Sequence, residues 1–378
     1  MRILFLTDGI TPFVTGGMQQ YASVLVKLLL NEGVIVTLVH CGERGTDNFT
    51  GHINSLFTNE QLQRLETIFI PFLNQGKWPG HYIYENKKYS NLIYQRLKER
   101  LNDFDFVYAQ GFTGWAFGKN KMKPKLLVNF HGFEMYQKAP NLKVKLEHYL
   151  LRPFVKLNCL NADYVYSFGG KINDIIKALG VKDNKILYQS NGIENKWLSK
   201  PKSSSKPLRY IFIGRNERRK GIEELTQALI NIKNEKKFDF EFTFIGPILP
   251  HSELRGLAHY TGEIKDQAKI HEYIQGADVL VCPSHAEGMP TVILEAMANG
   301  LAIITTDVGA SSRMIEENGI LLNDISPKAI KNAITTICNT PNSNLDKMKT
   351  NSLKMVKKDF IWEVIAKKMV MNLQQILT

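Results

Sequence analysis

Short apolar runs alternate with longer amphipathic segments along the chain. Runs of five or six apolar residues are typical of buried strands, whereas apolar positions three and four apart are typical of helices. The first helix is predicted over 17–32, with Gly33 after its end. Strands separated by helices indicate βαβ units and a parallel sheet. The strands predicted before residue 200 cover 2–7, 34–39, 66–70, 105–109, 125–130, 163–167 and 185–189.

The pattern stops at 199–207 and then restarts. This segment contains Ser, Lys and Pro without an apolar residue, which predicts a linker. Two doubly wound halves joined by a linker place a ligand cleft between them, at the carboxyl ends of the strands. The predicted strands after the linker cover 208–213, 240–245, 277–282 and 301–305, and the predicted helices cover 221–235, 290–299 and 359–378. The inward positions of the last helix are Phe360, Trp362, Ile365, Met369 and Leu373.

Composition favours a soluble globular protein of about two domains. The chain has 378 residues, of which 44% are hydrophobic and 22% charged. No apolar run approaches the roughly 18 residues of a membrane span, and the apolar run at the N-terminus is too short for a secretory signal.

The four cysteines are far apart, without metal-binding spacing, and are predicted to be buried free thiols in a reducing cytoplasm. They are Cys41, Cys159, Cys282 and Cys338.

The formal net charge of +12 is concentrated in one stretch. Residues 77–156 contain 15 Lys or Arg and 6 Asp or Glu. Three interpretations remain open here: a lysine-rich solvated face, an anionic membrane surface, or nucleic acid. Because no nucleic-acid-binding module is recognisable, nucleic acid is not an expected partner. The interleaved aromatic residues are Trp78, Tyr82, Tyr84, Tyr89, Tyr94, Trp115 and Phe117.

The segment 287–295, Glu-Gly-Met-Pro-Thr-Val-Ile-Leu-Glu, carries the strongest chemical signal. Pro290 suits the first position of a helix, and Gly288 lets the backbone pass close to a ligand. The amides at this helix N-terminus suit phosphate or hydroxyl oxygens. Glu295 can accept hydrogen bonds from a ribose diol, and Glu287 can do the same for sugar hydroxyls. The alternative is that Glu287 caps the helix and Glu295 is a structural acid. The amides concerned belong to Met289, Thr291 and Val292.

This segment resembles the E-x7-E signature of the retaining glycosyltransferases of family four, which have the GT-B fold. Gly16 and Gly17 resemble the glycine pair in the first loop of that family. The other resembling segments are Phe-His-Gly-Phe-Glu at 130–134, Ser-Asn-Gly-Ile-Glu at 190–194, Gly-Arg-Asn-Glu-Arg-Arg-Lys-Gly at 214–221 and Phe-Ile-Trp-Glu-Val-Ile-Ala at 360–366. The resemblance therefore spans the whole chain.

The resemblance implies an α/β protein with two Rossmann-like domains. Residues 1–200, completed by the helix 359–378, would bind the acceptor, and residues 207–358 would bind a nucleotide sugar. Arg218 and Arg219 are expected in surface ion pairs. The expected catalytic residues are His131, Arg215, Lys220 and Glu287. The expected donor-binding residues are Gly16, Gly17, Arg215, Lys220, Glu263, Ile264, Glu287, Gly288, Met289, Pro290, Thr291, Val292 and Glu295.

The implied roles follow from the chemistry of these residues. Arg215 and Lys220 would neutralise a diphosphate leaving group, and His131 would lie near the transferred sugar. Backbone groups near Glu263 and Ile264 would contact the base. No metal or cofactor is expected, because side-chain cations and a helix N-terminus can replace a divalent ion.

The expected reaction is the retaining transfer of a hexose-type sugar to a hydroxyl acceptor. The donor is a nucleoside-diphosphate sugar, with UDP favoured over GDP. The acceptor is a lipid-linked or cell-surface glycan precursor, which would place a cytoplasmic protein at the inner membrane face. The alternatives are a small soluble acceptor and a nucleotide-sugar epimerase of the same fold.

Overall fold

Two parallel sheets of seven and six strands form the framework of the protein. A computed structural model describes residues 1–14, 16–42, 52–72, 76, 80–120, 122–139, 141–204, 206–235 and 240–378. The first sheet contains β1 (Arg2–Leu6), β2 (Ile35–His40), β3 (Leu65–Phe69), β4 (Phe106–Gln110), β5 (Lys125–Asn129), β6 (Tyr164–Ser167) and β7 (Ile186–Tyr188). The helices between these strands are α1 (Gly17–Asn31), α2 (Asn59–Leu62), α3 (His81–Leu97), α4 (Leu142–Asn161) and α5 (Lys171–Ala178).

The second sheet contains β8 (Leu208–Ile213), β9 (Phe240–Ile245), β10 (Ala258–Tyr260), β11 (Val279–Cys282), β12 (Ala302–Thr306) and β13 (Gly319–Leu322). The later helices are α6 (Ile222–Glu235), α7 (Gln267–Gly276), α8 (Thr291–Ala298), α9 (Pro327–Asn339), α10 (Asn342–Met355) and α11 (Trp362–Leu377). We refer to the seven-stranded sheet with its packed helices as the first lobe, and to the six-stranded sheet with its packed helices as the second lobe.

Both sheets are doubly wound. Their strand orders are β3-β2-β1-β4-β5-β6-β7 and β10-β9-β8-β11-β12-β13. In each sheet the order reverses next to the first strand, between β1 and β4 and between β8 and β11. Ligands of such sheets bind outside the carboxyl ends of the strands at this point. The predicted fold class, two Rossmann-like parallel sheets, is confirmed.

All eleven predicted strands are present, and their ends differ from the predictions by no more than two residues. The strands β10 and β13 were not predicted, because three and four residues are too short to show a pattern. The described residues of the predicted linker 199–207 contain neither helix nor strand. Its Ser199 and Ser204 amides donate to Ala298 and Asp346 of the second lobe.

The last helix starts later than predicted. Residues Val356–Phe360 form a π-helical turn, Ile361 is extended, and α11 begins at Trp362. The Ile193 amide donates to the Phe360 carbonyl at 2.8 Å, and the Trp362 amide donates to the Ile193 carbonyl at 3.2 Å. The predicted inward side chains are buried. The chain therefore returns to the first lobe, where α11 packs against α1.

Part of the basic, aromatic stretch 77–156 is core rather than surface. Tyr89, Trp115 and Phe117 are buried, so they cannot form a binding surface as their spacing suggested. Tyr82 and Tyr84 are exposed, while Trp78 lies outside the described residues.

All four cysteines are free thiols. Three are buried as predicted, whereas Cys338, near the end of α9, is half-buried. Its sulfur lies 3.1 Å from the hydroxyl of Tyr210. Within the described part of the chain, no helix has both the length and the apolar character that a membrane crossing requires.

Candidate functional site

The predicted site residues lie in loops at the carboxyl edges of the two sheets. His131 follows β5 and Glu287 follows β11, so their loops belong to different lobes. The two loops touch at Gly132 and Gly288, where a Cβ atom on Gly288 would lie 2.8 Å from the Gly132 Cα. Only two glycines allow the backbones to approach this closely. The site is therefore assembled from both lobes.

Glu287 is the centre of a charged cluster in the second lobe. Its side chain is buried, with only 6% of the residue exposed. One carboxylate oxygen accepts from Lys220 Nζ at 2.6 Å and from Ser284 Oγ at 2.8 Å. The other accepts from Arg219 Nη1 at 3.2 Å. A buried carboxylate needs such partners, because an unpaired buried charge is strongly destabilising.

Gly221 explains how Lys220 reaches Glu287. Gly221 has a positive φ of 69°, and a Cβ atom there would lie 2.0 Å from the carbonyl oxygen of Pro283. Any side chain would therefore push the turn after β8 away from the loop after β11. The Lys-Gly pair thus positions the ammonium group beside the carboxylate.

The arginines of the same loop differ from the prediction. Arg219 was expected in a surface ion pair, but it contacts Glu287 and its side chain is only 21% exposed. Arg215 was expected to bind a diphosphate together with Lys220; its side chain is 74% exposed and pairs with Glu217 at 2.9 Å. Glu217 also accepts from Arg219 Nε at 2.7 Å. The backbone of this short turn decides which arginine side chain contacts Glu287. The spacing of the arginines along the sequence does not predict that choice.

Arg218 is in a surface ion pair, as predicted. Its guanidinium contacts Glu224 at 2.6 Å and Glu223 at 3.3 Å on the first turn of α6. It therefore points away from Glu287.

The N-terminus of α8 presents unpartnered amides. Pro290 was predicted at the first helical position, but its ψ of 115° is extended and the helix begins at Thr291. Proline before the helix and the tight loop leave several amides without a backbone acceptor. Within the described residues, these amides donate no hydrogen bond; they belong to Gly288, Met289, Thr291 and Val292. Such a terminus favours an anion.

Glu295 lies one turn into α8. No donor in the described part of the chain contacts its carboxyl group. Burial raises the pKa of Glu295 to about 7, because the charged form loses solvation. A ligand that donates two hydrogen bonds would stabilise the ionised form.

Glu263 and Ile264 lie on the flank of the second sheet. They line a cavity of about 410 Å³ between β10 and α7, together with Thr261 and Tyr273. The preceding residue, Gly262, accepts a hydrogen bond from the Gly246 amide at 3.0 Å. This bond fixes the cavity at the carboxyl ends of β9 and β10.

His131 is the titratable group of the first-lobe loop. It has a positive φ of 59°, and its amide donates to Asn129 Oδ1 at 2.8 Å. Its ring packs edge-on against Tyr21 at 4.8 Å and against Phe168 at 5.7 Å between centroids. Burial lowers the pKa of His131 to about 3. The ring is therefore neutral at physiological pH.

Gln110 is a site residue that the sequence analysis missed. It is fully buried at the end of β4. Its amide nitrogen lies 3.3 Å from both the Met18 carbonyl and His131 Nε2, and its Oε1 has no partner in the described part of the chain. Since the amide donates, Nε2 of the neutral ring accepts. The only sequence signal was a polar residue at the end of an apolar run.

Gly16 and Gly17 start α1 close to this ring. Gly16 precedes the helix without a side-chain cap, and both glycines are exposed. One turn later, Tyr21 contacts His131. The glycine pair is thus part of the first-lobe side of the cleft.

Two amide side chains of the first lobe hold the loop of Glu287. The Gln137 amide donates to the Glu287 carbonyl at 2.6 Å and accepts from its N–H at 3.1 Å. Asn191 Nδ2 donates to the Met289 carbonyl at 2.8 Å. Asn191 therefore joins the two lobes.

The Asp-x-Asp pair before β4 lies away from the cleft. Asp103 and Asp105 have Asp-x-Asp spacing, but they precede β4 at the opposite edge of the sheet. Asp105 accepts from the Arg2 amide at 2.7 Å, and Asp103 lies 3.8 Å from Arg100. Among the described residues, no three His, Cys, Asp or Glu side chains group closely enough to hold a metal ion.

Two protein-family models match the chain. The model described as Glycosyltransferase Family 4 matches residues 15–196, and the model described as Glycosyl transferases group 1 matches residues 207–340. Each match lies in one lobe, and the segment between them, 197–206, overlaps the predicted linker 199–207.

Curated relatives are named as glycosyltransferases. An uncharacterized glycosyltransferase of Methanocaldococcus jannaschii is 26% identical over 288 residues, which are 69% of this chain and 72% of that protein. The N,N'-diacetylbacillosaminyl-diphospho-undecaprenol alpha-1,3-N-acetylgalactosaminyltransferase of Campylobacter jejuni is 29% identical over 178 residues. This second match spans 44% of the chain and 45% of the relative, less than half of each.

The solved structure of Anabaena HepE in complex with UDP has a similar fold. Its TM-score is 0.69 at 17% identity, and the alignment covers 99% of this chain and 100% of that one. Such a likeness shows the fold. Together with the two family matches, this likeness supports the interpretation that the chain is a glycosyltransferase with the GT-B fold.

Proposed function

We propose that this chain, a glycosyltransferase with the GT-B fold, transfers a hexose-type sugar from a UDP-sugar to a hydroxyl acceptor with retention at the anomeric carbon. The acceptor is a lipid-linked or cell-surface glycan precursor. The second lobe binds the nucleotide sugar, and the first lobe binds the acceptor.

One observation carries the proposal: Lys220 and Arg219 contact Glu287 where the two lobes meet, and the open amides at the start of α8 follow Glu287 directly in the chain. Two cations and a helix N-terminus favour a diphosphate. When a diphosphate binds, the Lys220 ammonium moves from Glu287 to a phosphate oxygen. The carboxylate is then available to accept hydrogen bonds from sugar hydroxyls. Arg215, which is exposed, can turn to the phosphates from the solvent side.

In the reaction, the bond between the anomeric carbon and the β-phosphate oxygen breaks, and UDP leaves with the electron pair. The acceptor oxygen bonds to the anomeric carbon on the same face, and its proton passes to a phosphate oxygen. The cations stabilise charge that grows on the leaving group, so they stabilise the transition state more than the ground state.

In this proposal His131 contacts the sugar and not the phosphates. Its ring is neutral and enclosed by aromatic side chains, so it can hold a sugar hydroxyl without adding a positive charge near the anomeric carbon. This is important because positive charge develops on that carbon as the bond breaks. A protonated imidazole there would oppose it.

The names of the relatives support the choice of substrates. UDP is bound in the HepE structure, and the name of the Campylobacter enzyme specifies a diphospho-undecaprenol acceptor. We propose no metal requirement, because Lys220, Arg219 and the α8 amides supply the positive potential.

A donor panel with nucleotide release as readout tests this function. Each UDP- and GDP-sugar is offered with and without a crude lipid extract, in the presence of EDTA. We expect UDP release that requires the extract and resists EDTA. Conversion of the sugar without an acceptor would indicate an epimerase. Release supported by sugar phosphates instead of the extract would indicate a soluble acceptor.

A further inference from the structure

Helix α4 is apolar on two opposite faces. Its inward face carries Val155 and Cys159, which are buried in the core of the first lobe. Its outward face carries six large apolar side chains that are between 40% and 83% exposed. These side chains belong to Leu142, Leu146, Tyr149, Leu150, Leu157 and Leu160, and we refer to them as the outer stripe.

The outer stripe is continuous. At about 100° per residue, its six positions fall within an arc of about 100° around the helix. Pro153, which is also exposed, lies in the same arc. The helix has 20 residues, so the stripe runs over about 30 Å. Solvated helices carry polar residues on this side.

Exposed apolar side chains are concentrated on this helix. The described residues include 14 exposed large hydrophobic side chains, and six of them form the outer stripe. Helix α3 offers a contrast, since its exposed Tyr82, Tyr84 and Leu92 are spread over an arc of about 160° around the helix axis. A contiguous exposed apolar surface indicates a binding site, whereas scattered residues do not.

Lysines border the stripe on both sides. Lys145 and Lys156 lie along one edge and Lys143 along the other, and all three are exposed. No ion pair in the described part of the chain involves them. The only acidic residue of the helix, Glu147, lies outside the arc. An apolar stripe between basic borders is typical of a helix that lies in a membrane interface.

We propose that the outer stripe of α4 binds the surface of an anionic lipid bilayer. The leucines and Tyr149 enter the headgroup region, and the lysines contact lipid phosphates. A second copy of the chain fits this surface less well. Two α4 helices packed antiparallel would bring Lys145 of one copy near Lys156 of the other, without acidic partners.

The proposed surface lies beside the cleft. Arg152 Nε donates to the Met135 carbonyl at 2.8 Å, and the Tyr136 hydroxyl donates to the Arg152 carbonyl at 2.6 Å. These bonds attach α4 to the turn that follows His131. Docking would therefore place the first-lobe side of the cleft next to the bilayer, where a lipid-linked acceptor presents its hydroxyl.

Vesicle flotation of the full chain tests the proposal. The vesicles contain phosphatidylcholine alone or with phosphatidylglycerol, and no nucleotide sugar is added. We expect binding only to the anionic vesicles, and weaker binding at high salt. The double substitution L146S/L150S should weaken binding about tenfold or more, because two large apolar groups no longer leave water. K145Q/K156Q should weaken it about fivefold for each lysine.

Matched variants on α3 serve as controls. L92S removes an exposed leucine of α3 and K87Q/K88Q removes two of its lysines, and both variants should bind vesicles as the unsubstituted chain does. All variants should keep the thermal unfolding midpoint and the affinity for UDP, since the substituted side chains are outside the core and the cleft.

A second measurement does not depend on weakened variants. L146C labelled with an environment-sensitive fluorophore should show a blue-shifted emission with anionic vesicles, whereas L92C labelled in the same way should not. Equal shifts at both positions would contradict a specific surface.

Three further results would overturn the proposal: no flotation of the unsubstituted chain, unchanged flotation of L146S/L150S, or a dimer in solution that L146S/L150S dissociates while no vesicles bind. Because the assay contains no donor, its outcome is independent of sugar transfer. A protein that transfers no sugar but still binds anionic vesicles would contradict the proposed function and support the membrane-binding surface.

Discussion

The two sides of the cleft differ in charge. The second lobe presents Lys220, Arg219 and Glu287 in direct contact, beside the open amides of α8. The first lobe presents His131 between aromatic rings, with its pKa lowered to about 3 by burial. The difference indicates a division of labour: the charged lobe holds the leaving group, and the neutral lobe surrounds the carbon on which positive charge develops.

The largest effect is expected from Lys220→Ala. This change removes the donor closest to Glu287, so the second lobe loses much of its positive potential. We expect kcat/KM to fall about 10²–10³-fold, as for removal of a preorganised donor in other enzymes. Steady-state nucleotide release measures the loss.

Arg218→Ala is the matched control, because Arg218 lies two residues away and pairs with α6. Its kcat/KM should stay within about twofold, since exposed ion pairs contribute little. If both variants lost activity equally, the charged cluster would not be the site of the leaving group.

His131→Asn tests the neutral side. We expect kcat to fall about tenfold to a hundredfold, with UDP affinity unchanged, because the ring contacts the sugar and not the phosphates. The pH profile of the unsubstituted enzyme should show no His131 limb above about pH 5, because protonation occurs near pH 3. If the profile of the unsubstituted enzyme had a limb near pH 6 that His131→Asn lacks, the imidazole of His131 would be charged below that pH, contrary to this account.

The same residue affects stability. The folded pKa of His131 lies below the unfolded value of about 6.5, so the unfolded state binds more protons between these values. The free energy of unfolding should therefore fall as pH falls from about 6.5 towards 3, and less so in His131→Asn. Denaturant titrations at several pH values measure this difference.

Glu295 should make nucleotide binding pH-dependent. Its pKa is raised to about 7 by burial, and a ribose diol prefers the ionised acceptor. UDP affinity should increase about tenfold between about pH 6 and about pH 8, because the ionised fraction increases by that factor. Calorimetric titration of Glu295→Gln should show weaker binding without this dependence. An equal pH dependence in the variant would assign it to another group.

The smallest effect is expected from Gln137→Ala, which removes two hydrogen bonds between the lobes. Each contributes about 1 kcal/mol, and solvent compensates in part. We expect KM for the donor to rise several-fold while kcat changes little. A loss of kcat as large as that of Lys220→Ala would mean that Gln137 acts on the reacting groups.

Much of the fold could be predicted because each buried strand is a run of apolar residues between polar loops. β8 and β9 were predicted to the residue, since both runs end at a glycine. The start of α11 could not be predicted, because the apolar pattern continues unbroken through the π-helical turn before it.

The site was harder to predict where geometry decides between neighbours. The motifs pointed to Lys220 and Glu287 as candidate site residues, but the contact of Arg219 with Glu287 depends on the short turn Arg218–Lys220. Gln110 was missed because one polar residue at a strand end has no periodicity. The outer stripe was missed because leucines at helical spacing predict a buried face, and α4 has such residues on both faces.

The structure of the complex with UDP tests the central claim most directly. The account predicts the diphosphate between Lys220 and the N-terminus of α8, with the ribose hydroxyls at Glu295 and with Lys220 Nζ moved from Glu287 to a phosphate oxygen. A diphosphate bound against His131 and the first lobe, with the Lys220–Glu287 contact intact, would contradict it.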